Sequence, residues 1–209
     1  MPRPLLILGA GGHGKVVADV AQAAGRRVVG FVDNDPALAG QSVGGIRILG
    51  TMAKLERVAA ELGVTDVALA FGDNRVRLEH AREAKLAGMT LATLVHPAAS
   101  VADSATLGDG TIVCRGAAIC VEAELGEACL INTNAVVDHE CRLGAGVHVA
   151  PAAALAGRVS VGEGAMIGIG ASVVQCREIG AWSTVGAGAV VVRDIPPTST
   201  AVGVPARVR

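Results

Sequence analysis

From Val101 onward the chain keeps an unbroken period of six. The first residue of each six reads Val101, Leu107, Val113, Ile119, Leu125, Ile131, Val137, Leu143, Val149, Leu155, Val161, Ile167, Val173, Ile179, Val185 and Val191, all aliphatic. The fifth residue is usually small, as in Ala105, Ala117, Ala123, Cys129, Ala135, Cys141, Ala153, Ala165 and Ala171, with Arg177 the exception. A strict hexapeptide period is the mark of a parallel β-helix, in which each six forms one flat side and stacked coils bury a thin continuous core. Three sides close a triangle, so residues eighteen apart are expected to stack at about the ~4.8 Å spacing of neighbouring strands. The glycines at second positions (Gly108, Gly126, Gly144, Gly162, Gly168, Gly180 and Gly186) are expected to serve tight corners. No long insertion interrupts the repeat.

Composition fits a narrow interior. The 209 residues include only Phe31, Phe71 and Trp182 as aromatics, against 28 glycines. A core filled without rings is slender and regular. The formal net charge of −1 gives no electrostatic reason to expect nucleic acid or an anionic membrane as partner. The charge-free stretch from Leu143 to Gly157 contains His148, Pro151 and three glycines, and falls short of the roughly 20 apolar residues of a spanning helix. The chain opens into Leu5 to Leu8 without the pattern of a secretory signal, which points to a cytoplasmic protein.

Residues 1–95 have another rhythm, and residues 96–209 hold the repeat and a tail. In the first part, aliphatic runs at Leu5 to Leu8, Val28 to Val32, Ile46 to Leu49, Val67 to Ala70 and Leu91 to Val95 alternate with helix-length segments. Such alternation predicts an α/β domain, a small parallel sheet packed by helices. After the first strand comes Gly9-Ala10-Gly11-Gly12-His13-Gly14, a G-x-G-x-x-G turn, with Asp33 ending the second strand. There the glycines let backbone amides approach phosphate at a helix N-terminus, and the acidic residue meets a ribose hydroxyl. About 95 residues hold little more than one and a half mononucleotide halves, so a single nucleotide carrying something else fits better than NAD. His13, inside the turn, is expected to face the ligand.

In the repeat the first and fifth positions are consumed by the core, so reactive groups must sit elsewhere. In Val137-Asp138-His139-Glu140-Cys141-Arg142 the third and fourth places hold His139 and Glu140. Imidazole is the usual general base near neutral pH, and a neighbouring carboxylate orients it. Adding eighteen puts Gly157 over His139 and Arg158 over Glu140, and leaves open whether Glu140 pairs with His139 or with Arg158. Buried thiols are the ordinary reading of Cys129 and Cys141. No metal-ligand spacing appears, and neither a metal nor a covalent intermediate is expected.

The segments GAGGHGKVV (9–17), FVDND (31–35), NTNAVVDHEC (132–141), AG (156–157) and VGVPAR (202–207) make the chain similar to bacterial sugar acyltransferases of the PglD, NeuD and perosamine N-acetyltransferase type. The resemblance covers essentially the whole chain. It implies a Rossmann-like N-terminal domain that binds a nucleotide-linked amino sugar. It further implies a C-terminal left-handed β-helix that forms a homotrimer, with acetyl-CoA in the groove between neighbouring helices. By the same resemblance His139 is the general base and Glu140 tunes it. Asn132 and His13 help place the sugar, while His148, Gly157 and Ile169 contact acetyl-CoA. Gly11, Gly12, Asp33 and Asn34 meet the nucleotide, and Gly72, Asp73 and Asn74 line the same pocket.

Three rival readings remain. O-acetylation of sialic acid or a related sugar keeps the fold and changes the attacking atom. A trimeric scaffold without catalysis keeps the assembly alone, and an NAD-linked oxidoreductase follows from the glycine turn but leaves the β-helix without a role. The uncharged stretch Val149 to Ala154 favours self-association. The tail from Pro196 to Arg209 is expected to cover the open end of the helix or line the cofactor groove, its prolines stopping further strands.

Overall fold

The computed structural model describes residues 3–209, which form two compact units, one ending at Val95 and one running from His96 to Arg209. In the first unit the strands are β1 (Pro4–Leu8), β2 (Arg27–Val32), β3 (Ser42–Val43), β4 (Ile46–Gly50), β5 (Asp66–Leu69) and β6 (Thr90–Leu91). The helices are α1 (Gly12–Ala23), α2 (Leu55–Leu62) and α3 (Asn74–Leu86). The sheet order is β3-β4-β2-β1-β5-β6, parallel apart from the β3–β4 pair. The β1 run Leu5, Leu6, Ile7 and Leu8 is fully buried, as a central parallel strand covered on both faces must be. Strand order reverses between β1 and β5, so the loops after their carboxyl ends open the crevice where open α/β sheets bind ligands.

The second unit winds as the left-handed β-helix of a hexapeptide-repeat protein. On one side Ile112–Val113, Leu130–Ile131, His148–Val149, Met166–Ile167 and Thr184–Val185 stack in parallel, each step eighteen residues. The second side stacks Ser100–Val101, Ala118–Ile119, Val136–Val137, Ala154–Leu155, Ser172–Val173 and Val190–Val191. The third stacks Thr106–Leu107, Glu124–Leu125, Arg142–Leu143, Ser160–Val161 and Glu178–Ile179. Their aliphatic first positions fill the core with the small fifth positions, including buried Cys129 and Cys141.

The corners differ from the expectation. Backbone with positive φ falls at the fourth position of every six from Gly110 to Gly188, and eight of these residues, among them Glu122, Asn134, Glu140, Ala152 and Arg158, are not glycine. The second-position glycines serve close approach instead. Gly108, Gly126, Gly144, Gly162 and Gly180 form one column along the third side, where a Cβ on Gly126 would lie 2.7 Å from the Ala145 nitrogen and one on Gly144 2.6 Å from that of Glu163. A methyl group there meets backbone that cannot yield without parting the coils. Gly144→Ala is therefore expected to lower stability by about 2–3 kcal/mol, whereas Ala152→Gly, which relieves a left-handed residue, raises it by about 1 kcal/mol. Urea unfolding of the two variants checks both signs.

The tail also departs from the expectation. The prolines do not end the sheet: Thr200–Val202 adds to Thr184–Val185 in parallel, now sixteen residues on, and Arg207–Val208 pairs back antiparallel. The prolines cost only the register, because the helix resumes pairing once past them. Pro196 and Pro197 border a groove of about 890 Å³ along the glycine column. No helix among the described residues is long and apolar enough to cross a membrane.

Candidate active site

His139 and Glu140 lie on the corner after the second side. The Asp138 carboxylate accepts the His139 backbone N–H at 2.7 Å, which fixes the turn. Glu140 Oε2 lies 2.9 Å from His139 Nδ1 and accepts from Arg158 Nε at 3.0 Å. The competition left open by the sequence resolves as sharing: one carboxylate oxygen serves both partners. Arg158 also donates its backbone N–H to the His139 carbonyl at 2.9 Å, locking the next coil onto the dyad. Hydrogen bonds from His139 and then Arg158 hold the Glu140 carboxyl below the usual carboxylate range, so it stays anionic and accepts the Nδ1 proton. That tautomer leaves the Nε2 lone pair able to accept a proton. The imidazole lies over Gly157, where a Cβ would collide with Nε2 and Cε1. Beside the dyad a groove of about 720 Å³ is lined by Glu122, Glu140, Arg142 and Arg158. The larger groove on the glycine column includes none of His139, Gly157, His148 or Ile169.

The other residues expected near the chemistry occupy a different side. Asn132 Nδ2 lies 3.2 Å from the Nε2 of buried His148, both on or just after the first side. Ile169 stands at the corner that follows, 60% exposed. Within one chain, then, His139, Glu140 and Gly157 gather on one corner, and Asn132, His148 and Ile169 belong to the corner before it. Among the described residues no group of His, Cys, Asp and Glu could hold a metal ion.

In the first unit the glycine turn is built as the motif predicts. Gly14 packs against the Gly9 carbonyl, where a Cβ would come within 2.6 Å, and space beside Gly11 and Gly12 is open. Asp33 has partners within the chain: Oδ2 accepts from the Ala10 N–H at 2.6 Å and Oδ1 from the Asp35 N–H at 3.0 Å, so it pins the turn. Asp73 caps α3, accepting from the N–H groups of Arg75 and Val76, and Asn74 accepts from Arg77. Gly72 precedes them with open space at its Cα.

Sequence reasoning missed Arg77, a fully buried guanidinium that also donates to the Phe71 carbonyl at 3.0 Å. The Asn74–Arg77 spacing of three on a helix was its only signal. Burial, and then the charge of Arg77, lower the pKa of His13 to about 4, and its Nε2 is buried without a partner. An unfolded His13 binds its proton near 6.5, so between pH 6.5 and about 4 the unfolded chain holds more protons. Stability is full above that window and falls as pH drops through it, by roughly 2–3 kcal/mol at the low end. Urea unfolding at pH 7.5 and 4.5 is expected to show this loss reduced in His13→Asn.

Residues 4–84 match the PglD N-terminal domain. The fold is similar to a perosamine N-acetyltransferase from Caulobacter crescentus, solved with CoA and GDP-perosamine (45% identity, 99% of this chain and 96% of that one, TM-score 0.94). The acetyltransferase domain of PglB from Neisseria gonorrhoeae, solved with acetyl coenzyme A, is 40% identical over the full length of both chains, with TM-score 0.92. WeeI from Acinetobacter baumannii is 26% identical over 99% of this chain and 100% of its own, with TM-score 0.87. No curated protein sequence matches at a significant level.

Proposed function

The chain belongs to the perosamine N-acetyltransferase family of CoA-dependent sugar N-acetyltransferases, and from that premise we propose that it acetylates the amino group of a nucleotide-linked 4-amino-deoxy sugar by direct transfer. The observation that carries the reading is the His139–Glu140 pair held over Gly157. Acetyl-CoA supplies the acetyl thioester, and the bare backbone at Gly157 suits a site that must admit it.

As the sugar nitrogen bonds to the thioester carbon, His139 Nε2 takes the N–H proton, and Glu140 stabilises the imidazolium through Nδ1. The backbone N–H of Gly157 is the candidate donor to the developing oxyanion. When the carbon–sulfur bond breaks, His139 returns the proton to the departing thiolate. In the first unit Gly11, Gly12 and Asp33 hold the phosphates and ribose, with Gly72, Asp73 and Asn74 on the facing loop. The unpartnered Nε2 of His13 and the amide of Asn132 position the sugar, while His148 and Ile169 meet acetyl-CoA.

The division of these residues between two corners supports a homotrimer, in which one protomer's His139 corner meets its neighbour's Asn132 and Ile169 corner. Outward positions agree: the second side presents Ser100, Ala118, Val136, Ala154, Ser172 and Val190 and no charge, and the third presents Glu124, Arg142 and Glu178 beside Thr106 and Ser160. The site of action proposed is the cytoplasm, where acetyl-CoA and nucleotide sugars are made.

The test is spectrophotometric thiol release from acetyl-CoA with UDP- and GDP-linked 4-amino sugars, beside CMP-linked and free sialic acid. Turnover with an amino sugar is expected. Turnover with sialic acid alone would replace this reading with O-acetylation.

A further inference from the structure

Between β5 and α3 only Ala70, Phe71, Gly72 and Asp73 separate sheet from helix, and this loop borders the crevice where the strand order reverses. Its two ends are held by ordinary means. Ala70 donates its N–H to the Leu8 carbonyl at 2.8 Å, while Asp73 accepts from the N–H groups of Arg75 and Val76. The middle is Phe71 and Gly72, and glycine has no side chain with which to hold itself. Arg77, at the start of α3, reaches back to it. Its Nη1 donates to the Phe71 carbonyl at 3.0 Å and approaches that of Gly72 at 3.5 Å, and Nη2 donates to Asn74 Oδ1 at 2.9 Å.

A guanidinium only 1% exposed is costly to bury, and an apolar side chain of similar volume often serves stability as well or better. What Arg77 supplies instead is a rigid fork of donors. The loop so held touches the other parts of the proposed nucleotide-sugar site. A Cβ on Gly9 would lie 2.9 Å from the Ala70 carbonyl oxygen and 3.2 Å from the Phe71 ring, so the loop packs directly on the glycine turn. The Phe71 ring also lies against that of His80, with centroids 4.4 Å apart, and His80 Nε2 is 3.0 Å from the Asn34 side-chain amide just past the end of β2. The charge of Arg77 is felt in the glycine turn as well, since after burial it is the second cause that lowers the pKa of His13 to about 4.

We propose that Arg77 is a positioning residue for the nucleotide sugar: by holding the Phe71 and Gly72 carbonyls it sets the backbone of residues 71–74 at the spacing from the glycine turn that the ligand spans. Its effect is therefore expected on the binding of one substrate and not on the transfer itself. The inference rests on the nucleotide-sugar function proposed above.

Steady-state thiol release by the full-length protein, with UDP- and GDP-linked 4-amino sugars and acetyl-CoA varied in turn, tests it. Arg77→Met fills the space and removes the fork; it is expected to raise KM for the nucleotide sugar about tenfold, with kcat at saturation and KM for acetyl-CoA within about twofold of the native values. Arg77→Lys, which keeps the charge and can still donate to one carbonyl, is expected to limit the rise to about threefold. A merely structural role predicts another pattern, fewer folded molecules and so a lower apparent kcat with both KM values unchanged. That pattern, or an unchanged nucleotide-sugar KM in folded Arg77→Met, overturns Arg77 as a positioning residue and leaves the nucleotide-sugar reading standing. Should circular dichroism show that Arg77→Met does not fold, the nucleotide-sugar KM of Arg77→Lys decides in the same way, a rise supporting the inference and an unchanged value overturning it. Absence of turnover by the native protein with every such sugar overturns both.

Discussion

His139→Asn is expected to lose about 10³-fold in turnover while nucleotide-sugar binding and the fold persist. Asparagine keeps a polar group on the exposed corner and cannot take a proton from the attacking nitrogen. The neighbouring contacts do not depend on the ring: the Asp138 carboxylate holds the backbone of residue 139, and Arg158 holds both its carbonyl and Glu140. Steady-state thiol release, with nucleotide-sugar affinity measured by calorimetry on the same sample, separates chemistry from binding. Turnover close to that of the native protein would remove His139 as the base.

Gly157→Ala tests the same group by displacement. Gly157 is not among the positive-φ residues, so alanine is allowed there by the backbone, and the three atoms nearest its Cβ all belong to the His139 ring. That ring must swing away, and a misplacement of about 1 Å is enough to cost on the order of 100-fold in kcat/KM. The residue 157 N–H survives the substitution, so the loss reports the position of the base and not a missing oxyanion donor. Because the ring is 42% exposed and has room to move outward, the unfolding midpoint is expected to hardly change. Undiminished activity would mean that the ring works from another rotamer.

What the sequence made legible was whatever depends on period and spacing. Eighteen-residue stacking, the glycine turn after β1 and the placement of Gly157 over His139 are arithmetic on a regular backbone. What stayed hidden depends on how single side chains turn. The sharing of one Glu140 oxygen by His139 and Arg158, and the bond between Asn34 and His80, 46 residues apart, follow from rotamers that no pattern encodes. The left-handed fourth positions were obscured because residues such as Glu140, Ala152 and Arg158 bear the strain in place of glycine. The glycine column was legible in principle, since Gly108, Gly126, Gly144, Gly162 and Gly180 recur every eighteen residues. Read as corner flexibility, its true cause, the closeness of adjacent coils, went unseen.

The eighteen-residue step also governs how such a protein can change length. The base and the glycine beneath it belong to successive coils joined by the Arg158 N–H to His139 carbonyl bond. A whole coil duplicated after Arg177 would lengthen the helix and leave that pairing in place. The same eighteen residues inserted between Cys141 and Ala156 would put a foreign corner against His139, with every core position still filled. Loss of a single residue in that interval would turn inward-facing positions outward in one coil. Recombination in whole coils beyond Arg177 is thus expected to leave the His139–Gly157 stack intact, whereas a change of length between the two is expected to break it.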